Sequence, residues 1–252
     1  MYGICSLAIV PMRRESNDRS EQVSQLLFGE IFEVLEQTQK WTFIKLHFDG
    51  YEGWIDAKQF LPISKSHYEK LANEPLIFNG DLIEYVSSEN SLIPITLGAT
   101  LNFLHFHEIN TQNYVFDGLR KSGIQPKSHL LQTAYLYLNA PYLWGGKSPL
   151  GIDCSGFTQM VYKMNGYFIP RDASQQANIG ESLSFIEECE PGDLAFFDNE
   201  EGKITHVGIL LSDYKIIHAS GKVRIDTLDH SGIFNAEINQ HTHKLRVLKK
   251  II

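Results

Sequence analysis

Between residues 41 and 48, in WTFIKLHF, apolar and polar side chains nearly alternate, which predicts a strand with one buried face. The FDGYEGW that follows supplies a glycine turn into a second strand. CSLAIVPM, EIFEVLEQT and YEGWIDAKQF add short β-rich runs on either side. Evenly spaced short strands divided by turn residues predict a small all-β barrel over residues 1–62. The layout recurs more faintly in PLIFNGDLIEYV, LIPITLGATLNFLHF and NYVFDG, a second and degenerate barrel within residues 63–125. SKSHYEKLANE, between the two, reads as a linker or a single helical turn. One mixed β domain is the alternative that this periodicity leaves open.

From residue 126 the period changes. Leu130, Leu131, Ala134, Tyr135 and Leu138 recur at helical spacing, with Ser128 placed to cap the helix. In DCSGFTQMVYKMNG, Phe157, Val161 and Met164 share one face, so a second helix begins at or just before Cys154. A polar stretch, PRDASQQANIGESL, leads to the strand-like runs DLAFFD, HVGILLS and YKIIHAS, and HKLRVLKKII closes the chain as a last strand. Helices followed by antiparallel strands predict an α+β domain over residues 126–252, preceded by the small all-β barrels.

Composition narrows the function. A chain of 252 residues with a net charge of −8 is a poor partner for nucleic acid or an anionic membrane surface. No run of about 18 apolar residues would span a bilayer. MYGICSLAIVPMRRESN lacks the positive start and uninterrupted apolar stretch of a secretory leader, so the expected location is the cytoplasm. The three cysteines, Cys5, Cys154 and Cys189, show no CxxC spacing, which argues against a disulfide framework or a structural zinc site. Neither HxxxH nor HExxH occurs, the HFH at 105–107 fits alternate faces of a strand, and no metal or other cofactor is expected. Cys5 and Cys189 read as packing residues.

Cys154 stands apart. A nucleophilic cysteine needs a favoured thiolate, a base in reach and donors for the oxyanion. A helix start presents unpaired N–H groups and the positive end of the helix dipole, and Gly156 keeps the backbone open beside the thiol. His206 opens HVGILL and His218 lies in IIHAS on the next run, with the polar turn SDYK between them. Antiparallel pairing then makes the two histidines cross-strand neighbours, so that one orients the other's imidazole. On spacing alone, a core cysteine and a nucleophile both remain open.

PYLWGGKSPLGIDCSGFTQMVY, IPRDASQQ, CEPGDLAFF, THVGILL and KIIHAS together resemble the successive motifs of the NlpC/P60 family of papain-like cysteine peptidases, over residues 127–252. The resemblance implies Cys154 as nucleophile, His206 as general base and acid, His218 as the residue orienting His206, and the Tyr142 hydroxyl as a partner of the Cys154 N–H in holding the oxyanion. RSEQVSQLLFGEIFEVLEQTQKWTFIKLHFDGYEGWI resembles the bacterial SH3 module placed ahead of this domain. In that subfamily the implied activity is cleavage of the γ-D-glutamyl bond to a diamino acid, in murein peptides with a free N-terminal L-Ala.

A small zwitterionic peptide of this kind, bound by a monomeric cytoplasmic protein that recycles murein peptides, needs both acceptors and donors. Asp153 and Ser155 flank the nucleophile and are implied as part of the subsite there, Asp153 having the alternative role of helix N-cap. Arg171 either grips the glutamyl α-carboxylate or pairs with Asp172 or another surface carboxylate, and Ser174 lies in the same motif. Asp193 reads as a turn residue and Trp144 as cleft wall. For the free amine the first module offers Glu21 foremost, then Tyr51, Glu52 and Asp56. Two other activities stay open: an N-acetylmuramoyl-L-alanine amidase or other acyl transferase on the same scaffold, and a non-catalytic protein that binds wall peptides.

Overall fold

The computed structural model describes residues 1–106, 109 and 112–252. The chain divides into two compact units: residues 1–123 with 144–149, and residues 124–143 with 150–252.

The first unit opens with seven short strands, β1 (Tyr2–Ile4), β2 (Ile9–Arg13), β3 (Gln22–Leu27), β4 (Ile31–Gln37), β5 (Trp41–Leu46), β6 (Glu52–Asp56) and β7 (Leu61–Ile63). They form one antiparallel sheet in the order β3-β2-β6-β5-β4-β1-β7. The alternation in WTFIKL is that of β5, whose Trp41 pairs with Asp56 of β6 and Lys45 with Glu52. Gly50, at φ +69°, makes the turn between them, with its N–H donating to the Leu46 carbonyl. Cys5, Val10, Met12, Leu26, Phe32, Ile44 and Ile55 fill the interior of this SH3-like region.

SKSHYEKLANE is more than a linker or one turn. Lys65–Asn73 form a nine-residue helix, α1, capped by Ser64, whose hydroxyl accepts the His67 N–H at 3.1 Å. After it come β8 (Ile77–Asn79), β9 (Ile83–Ser88), β10 (Ser91–Thr96) and β11 (Arg120–Ser122), paired two by two as β9-β10 and β8-β11. Their apolar residues share a core with the first strands: Val86, Ile95, Leu101 and Phe116 pack with Ile4, Phe28 and Ile31. The interior therefore runs across residue 62. Asn102–His105 form a 3₁₀ turn rather than part of a strand, and His107 of the HFH motif lies outside the described residues.

Residues 144–149, carrying β12 (Lys147–Ser148), pack into this same unit. Lys147 is buried and ion-paired to Glu30 at 3.0 Å, and its N–H donates to the Gln25 side chain. A buried ammonium of this kind persists only when paired.

The second unit carries α2 (Ser128–Leu136), β13 (Gly151–Ile152), α3 (Cys154–Lys163), the short α4 (Ala173–Gln176), β14 (Glu181–Leu183), β15 (Leu194–Asp198), β16 (Ile204–Leu210), β17 (Lys215–Ser220), β18 (Lys222–Asp229), β19 (Gly232–Asn235) and β20 (Gln240–Lys250). The last seven form one antiparallel sheet in the order β14-β20-β15-β16-β17-β18-β19, with β19 also pairing β20. Lys127, not Ser128, occupies the cap position of α2, and no side chain caps it. Leu130 and Ala134 supply its buried face. Helix α3 is buried along its whole length, so this helix is the centre of the unit rather than an amphipathic surface element.

Candidate active site

Cys154 is the first residue of α3. Asp153 caps that helix, its Oδ1 accepting the Gly156 N–H at 2.6 Å, which fixes the thiol at the positive end of the dipole. The Cys154 sulfur lies 4.0 Å from the Thr205 carbonyl and takes backbone hydrogen bonds from Val207 and Ser155. It therefore rests against the stretch of β16 that flanks His206. Burial and the nearby Asp153 charge push the thiol up to about 12, against the pull of those N–H groups and of Arg171.

His206 and His218 meet as the hairpin arithmetic predicts, with one adjustment. SDYK turns the chain with Asp213 at φ 57° and Tyr214 at φ 53°, the left-handed pair of a type I′ hairpin. The register puts His218 opposite Gly208, so His206 is its diagonal neighbour. The ring-to-ring bond crosses Gly208, with His206 Nε2 at 2.8 Å from His218 Nδ1. A bulge helps to aim it. Phe197 pairs with His206 and Asp198 with Ile204, leaving Thr205 as an extra residue in β16.

The chain of bonds continues to residues that sequence reasoning missed. His218 Nε2 lies 3.0 Å from Asp226 Oδ2, and Arg224 clamps Asp226 through Nε (2.7 Å) and Nη2 (3.0 Å). Hydrogen bonds from His218 and Arg224 hold the Asp226 carboxyl below the usual range, against its burial. The carboxylate accepts, so His218 Nε2 carries the proton. With Nε2–H committed to the carboxylate, His218 Nδ1 is left to accept from His206 Nε2–H, and the lone pair of His206 is left on Nδ1. Burial holds His206 well below its ordinary value, helped by His243 and His218. Both shifts favour the uncharged thiol and the uncharged imidazole over the ion pair.

His243 on β20 is the third histidine. Its ring stacks on His206 with centroids 4.1 Å apart and planes at 26°. Ring nitrogens of His206, His218 and His243 lie within 4.8 Å of one another. No local spacing reveals this, because three separate strands contribute. Both nitrogens of His218 are engaged, one by His206 and the other by Asp226.

The remaining expected residues separate. Tyr142, half-buried, lies near enough to Cys154 and Asp153 that their charges add to burial in pushing its phenol up to about 12. Arg171 is 1% exposed, so it is not a surface group. Its fork closes on Asp153 (Nη1–Oδ1 3.0 Å, Nη2–Oδ2 2.7 Å) and Nη1 also donates to Ser155 Oγ at 2.9 Å. The guanidinium fork that a substrate carboxylate would need is taken up beneath the nucleophile, and Asp153 is at once its partner and the helix cap. Ser174 is exposed on α4. Asp193 is buried and bonded to Lys127 and to the Glu190 N–H. In the first unit, Glu21 pairs with Arg14 at 2.8 Å and accepts Trp144 Nε1–H at 2.7 Å, while the Gln22 amide donates to the Trp144 carbonyl. Tyr51 packs on the barrel core, and Asp56 accepts the Lys58 N–H.

Comparison with known proteins agrees with this geometry. Residues 139–243 match the model of the NlpC/P60 family, and residues 12–60 that of the bacterial dipeptidyl-peptidase Sh3 domain. A γ-D-glutamyl-L-lysine dipeptidyl-peptidase of Bacillus subtilis (strain 168) is 32% identical over 219 residues, covering 78% of this chain and 71% of the relative. Dipeptidyl-peptidase 6 of Lysinibacillus sphaericus is 26% identical over 260 residues, 91% of this chain and 92% of its own. The crystal structure of an NlpC/P60 family protein from Bacillus cereus ATCC 10987 superposes with a TM-score of 0.81 over 100% of this chain and 99% of that one, at 20% identity, which shows a shared fold. The chain belongs to the NlpC/P60 family of cysteine peptidases, with an SH3-like region ahead of the peptidase domain.

Proposed function

We propose that this protein hydrolyses the γ-D-glutamyl bond to a diamino acid in murein peptides that carry a free N-terminal L-Ala. The observation that carries the chemistry is the bonded series His206–His218–Asp226, set where β16 meets the Cys154 sulfur. Cys154 passes its proton to His206 Nδ1 as the sulfur attacks the γ-carbonyl carbon. The oxyanion that forms takes hydrogen bonds from the Cys154 N–H and the Tyr142 hydroxyl. His206 then protonates the departing amine, the C–N bond breaks and an acyl-enzyme remains. Water, deprotonated by His206, attacks the thioester and releases L-Ala-γ-D-Glu.

The relatives' names support the bond and the direction of attack, since a dipeptidyl-peptidase counts two residues from a free amine. Such peptides arise when wall fragments are recycled, and we place the monomeric enzyme in the cytoplasm on that account.

The test is incubation with L-Ala-γ-D-Glu-L-Lys and its meso-diaminopimelate counterpart, with and without acetylation of the amine, followed by mass spectrometry. Release of the diamino acid from the free-amine peptides alone, abolished in Cys154→Ala, is expected. Equal cleavage of the acetylated peptides would end the free-amine reading. Release of peptide from muramoyl substrates instead would make the protein an amidase.

A further inference from the structure

Beside the candidate histidines lies an open cavity of about 540 Å³, lined among others by Asp198, Glu200, Thr205, His243 and Lys244. Two of these place it against the reacting groups. Thr205 immediately precedes His206 and its carbonyl is 4.0 Å from the Cys154 sulfur. His243 is the ring stacked on His206. A group leaving from a thioester-forming carbon at Cys154, protonated by His206, departs on the side of these two residues.

Asp198 is the unusual member of the wall. It ends β15 at the bulge, across from Lys244 of β20. Its side chain is 3% exposed, and among the described residues its ion pair is a loose one, Oδ2 to the exposed Arg246 at 3.6 Å. Oδ1 is buried with no hydrogen-bond partner. A buried carboxylate oxygen without a donor is costly, and a donor arriving with a ligand satisfies it. Asp198 lines the cavity, so a donor bound there comes to the side of its carboxyl group. Glu200 adds a second acceptor at the rim. His243 stays uncharged at neutral pH, because burial pushes it down to about 4, and so does not repel a cation there.

We propose that this cavity is the subsite for the departing diamino acid, with Asp198 and Glu200 holding its ω-ammonium and Lys244 facing its carboxylate. The volume is in the range of small-molecule sites. The inference rests on the γ-D-glutamyl peptidase reading and adds to it the residues that demand a second amine.

The experiment compares L-Ala-γ-D-Glu-L-Lys with L-Ala-γ-D-Glu-L-norleucine, which lacks only the side-chain amine. Wild type is expected to favour the lysine peptide by at least about tenfold in kcat/KM. In Asp198→Asn that ratio falls toward one, and in the exposed-site variant Glu200→Gln it falls part of the way. A wild-type ratio near one, or a ratio that neither substitution changes, overturns the proposal. Calorimetric titration of full-length Cys154→Ser with free L-lysine separates this from the parent reading. Lysine binding that Asp198→Asn weakens, with neither peptide cleaved by wild type, keeps the subsite and discards the peptidase substrate. No binding and no cleavage discards both.

Discussion

Asp226 accepts the Nε2–H of His218 across 3.0 Å, and that single bond decides which nitrogen of His206 is the base. With Nε2 of His218 committed to the carboxylate, Nδ1 is left to accept from His206, and the His206 lone pair is placed on Nδ1. Asp226→Asn keeps the size but removes the obligation, since an amide can also donate. We expect kcat to fall roughly a hundredfold or more, in the range of general acid–base effects, while KM changes little. Asp226→Glu should recover part of the loss. A variant with wild-type kcat and an unchanged pH profile would show that Asp226 does not position the pair.

The pH dependence follows from the lowered proton affinity of His206. His206 is active as a base only when unprotonated, and its affinity for protons is depressed well below 6.5 by burial and by its histidine neighbours. Activity should therefore persist as pH falls through 6.5 and decline only further into acid. Replacing His243 with Phe removes a neighbour that opposes the protonation of His206 and should move the acid limb upward. The check is kcat/KM on one peptide from pH 4 to 8, and an acid limb at or above 6.5 in wild type would contradict the assignment.

Stability carries the same sign. His243 has a folded value of about 4 against an ordinary 6.5, so the unfolded chain takes up a proton in this interval that the folded chain refuses. The contribution is fully present above about 6.5 and is lost as pH falls toward 4. Wild-type Tm should drop across that window, and the drop should be smaller in His243→Asn. Melts at pH 7, 6, 5 and 4.5 read the difference directly, below which the depressed carboxylates begin to dominate.

Gly208 is where packing meets chemistry. A Cβ built there would lie 2.9 Å from the His218 Cβ and 2.7 Å from the Ile216 Cδ1. The first of these is an anchored atom rather than a flexible tip, so His218 has to move. Gly208→Ala should cost about 1–3 kcal/mol by overpacking and should lower kcat at least tenfold by stretching the His206–His218 bond. Retained activity with lowered stability would mean that the strands part without disturbing the rings.

Much of this was legible in the chain and some of it was not, for identifiable reasons. Cys154 at a helix start, the SDYK hairpin and the His206–His218 contact all follow from local spacing, because helix period and antiparallel register are local rules. Asp226 and Arg224 lie on β18, which KVRIDTLD conceals: its polar residues alternate, as on any half-buried strand, and only the register with β17 shows that Arg224 faces His218. His243 comes from β20, which β15 separates from β16 in the sheet, and leaves no local trace. Arg171 shows the reverse case: the carboxylate it pairs with is the buried Asp153 rather than one on the surface. A motif of charged and small residues looks like surface, and only tertiary packing shows that its Arg171 is buried against the cap of α3.

That burial gives the last prediction. Arg171 and Asp153 are both shut away from water, and their forked pair ties the cap of α3 to the loop before α4. Arg171→Met leaves Asp153 charged and deprived of its main partner, which in buried pairs costs about 3–5 kcal/mol. Arg171→Lys keeps the charge but cannot span both oxygens, and its loss should be smaller yet clear. Both variants should also reduce kcat, because the same Asp153 sets the start of the helix that carries Cys154. A substrate-binding arginine would behave differently, raising KM in a protein of nearly normal Tm. Urea titration alongside kcat and KM separates the two roles, and normal stability with a raised KM would return Arg171 to the substrate.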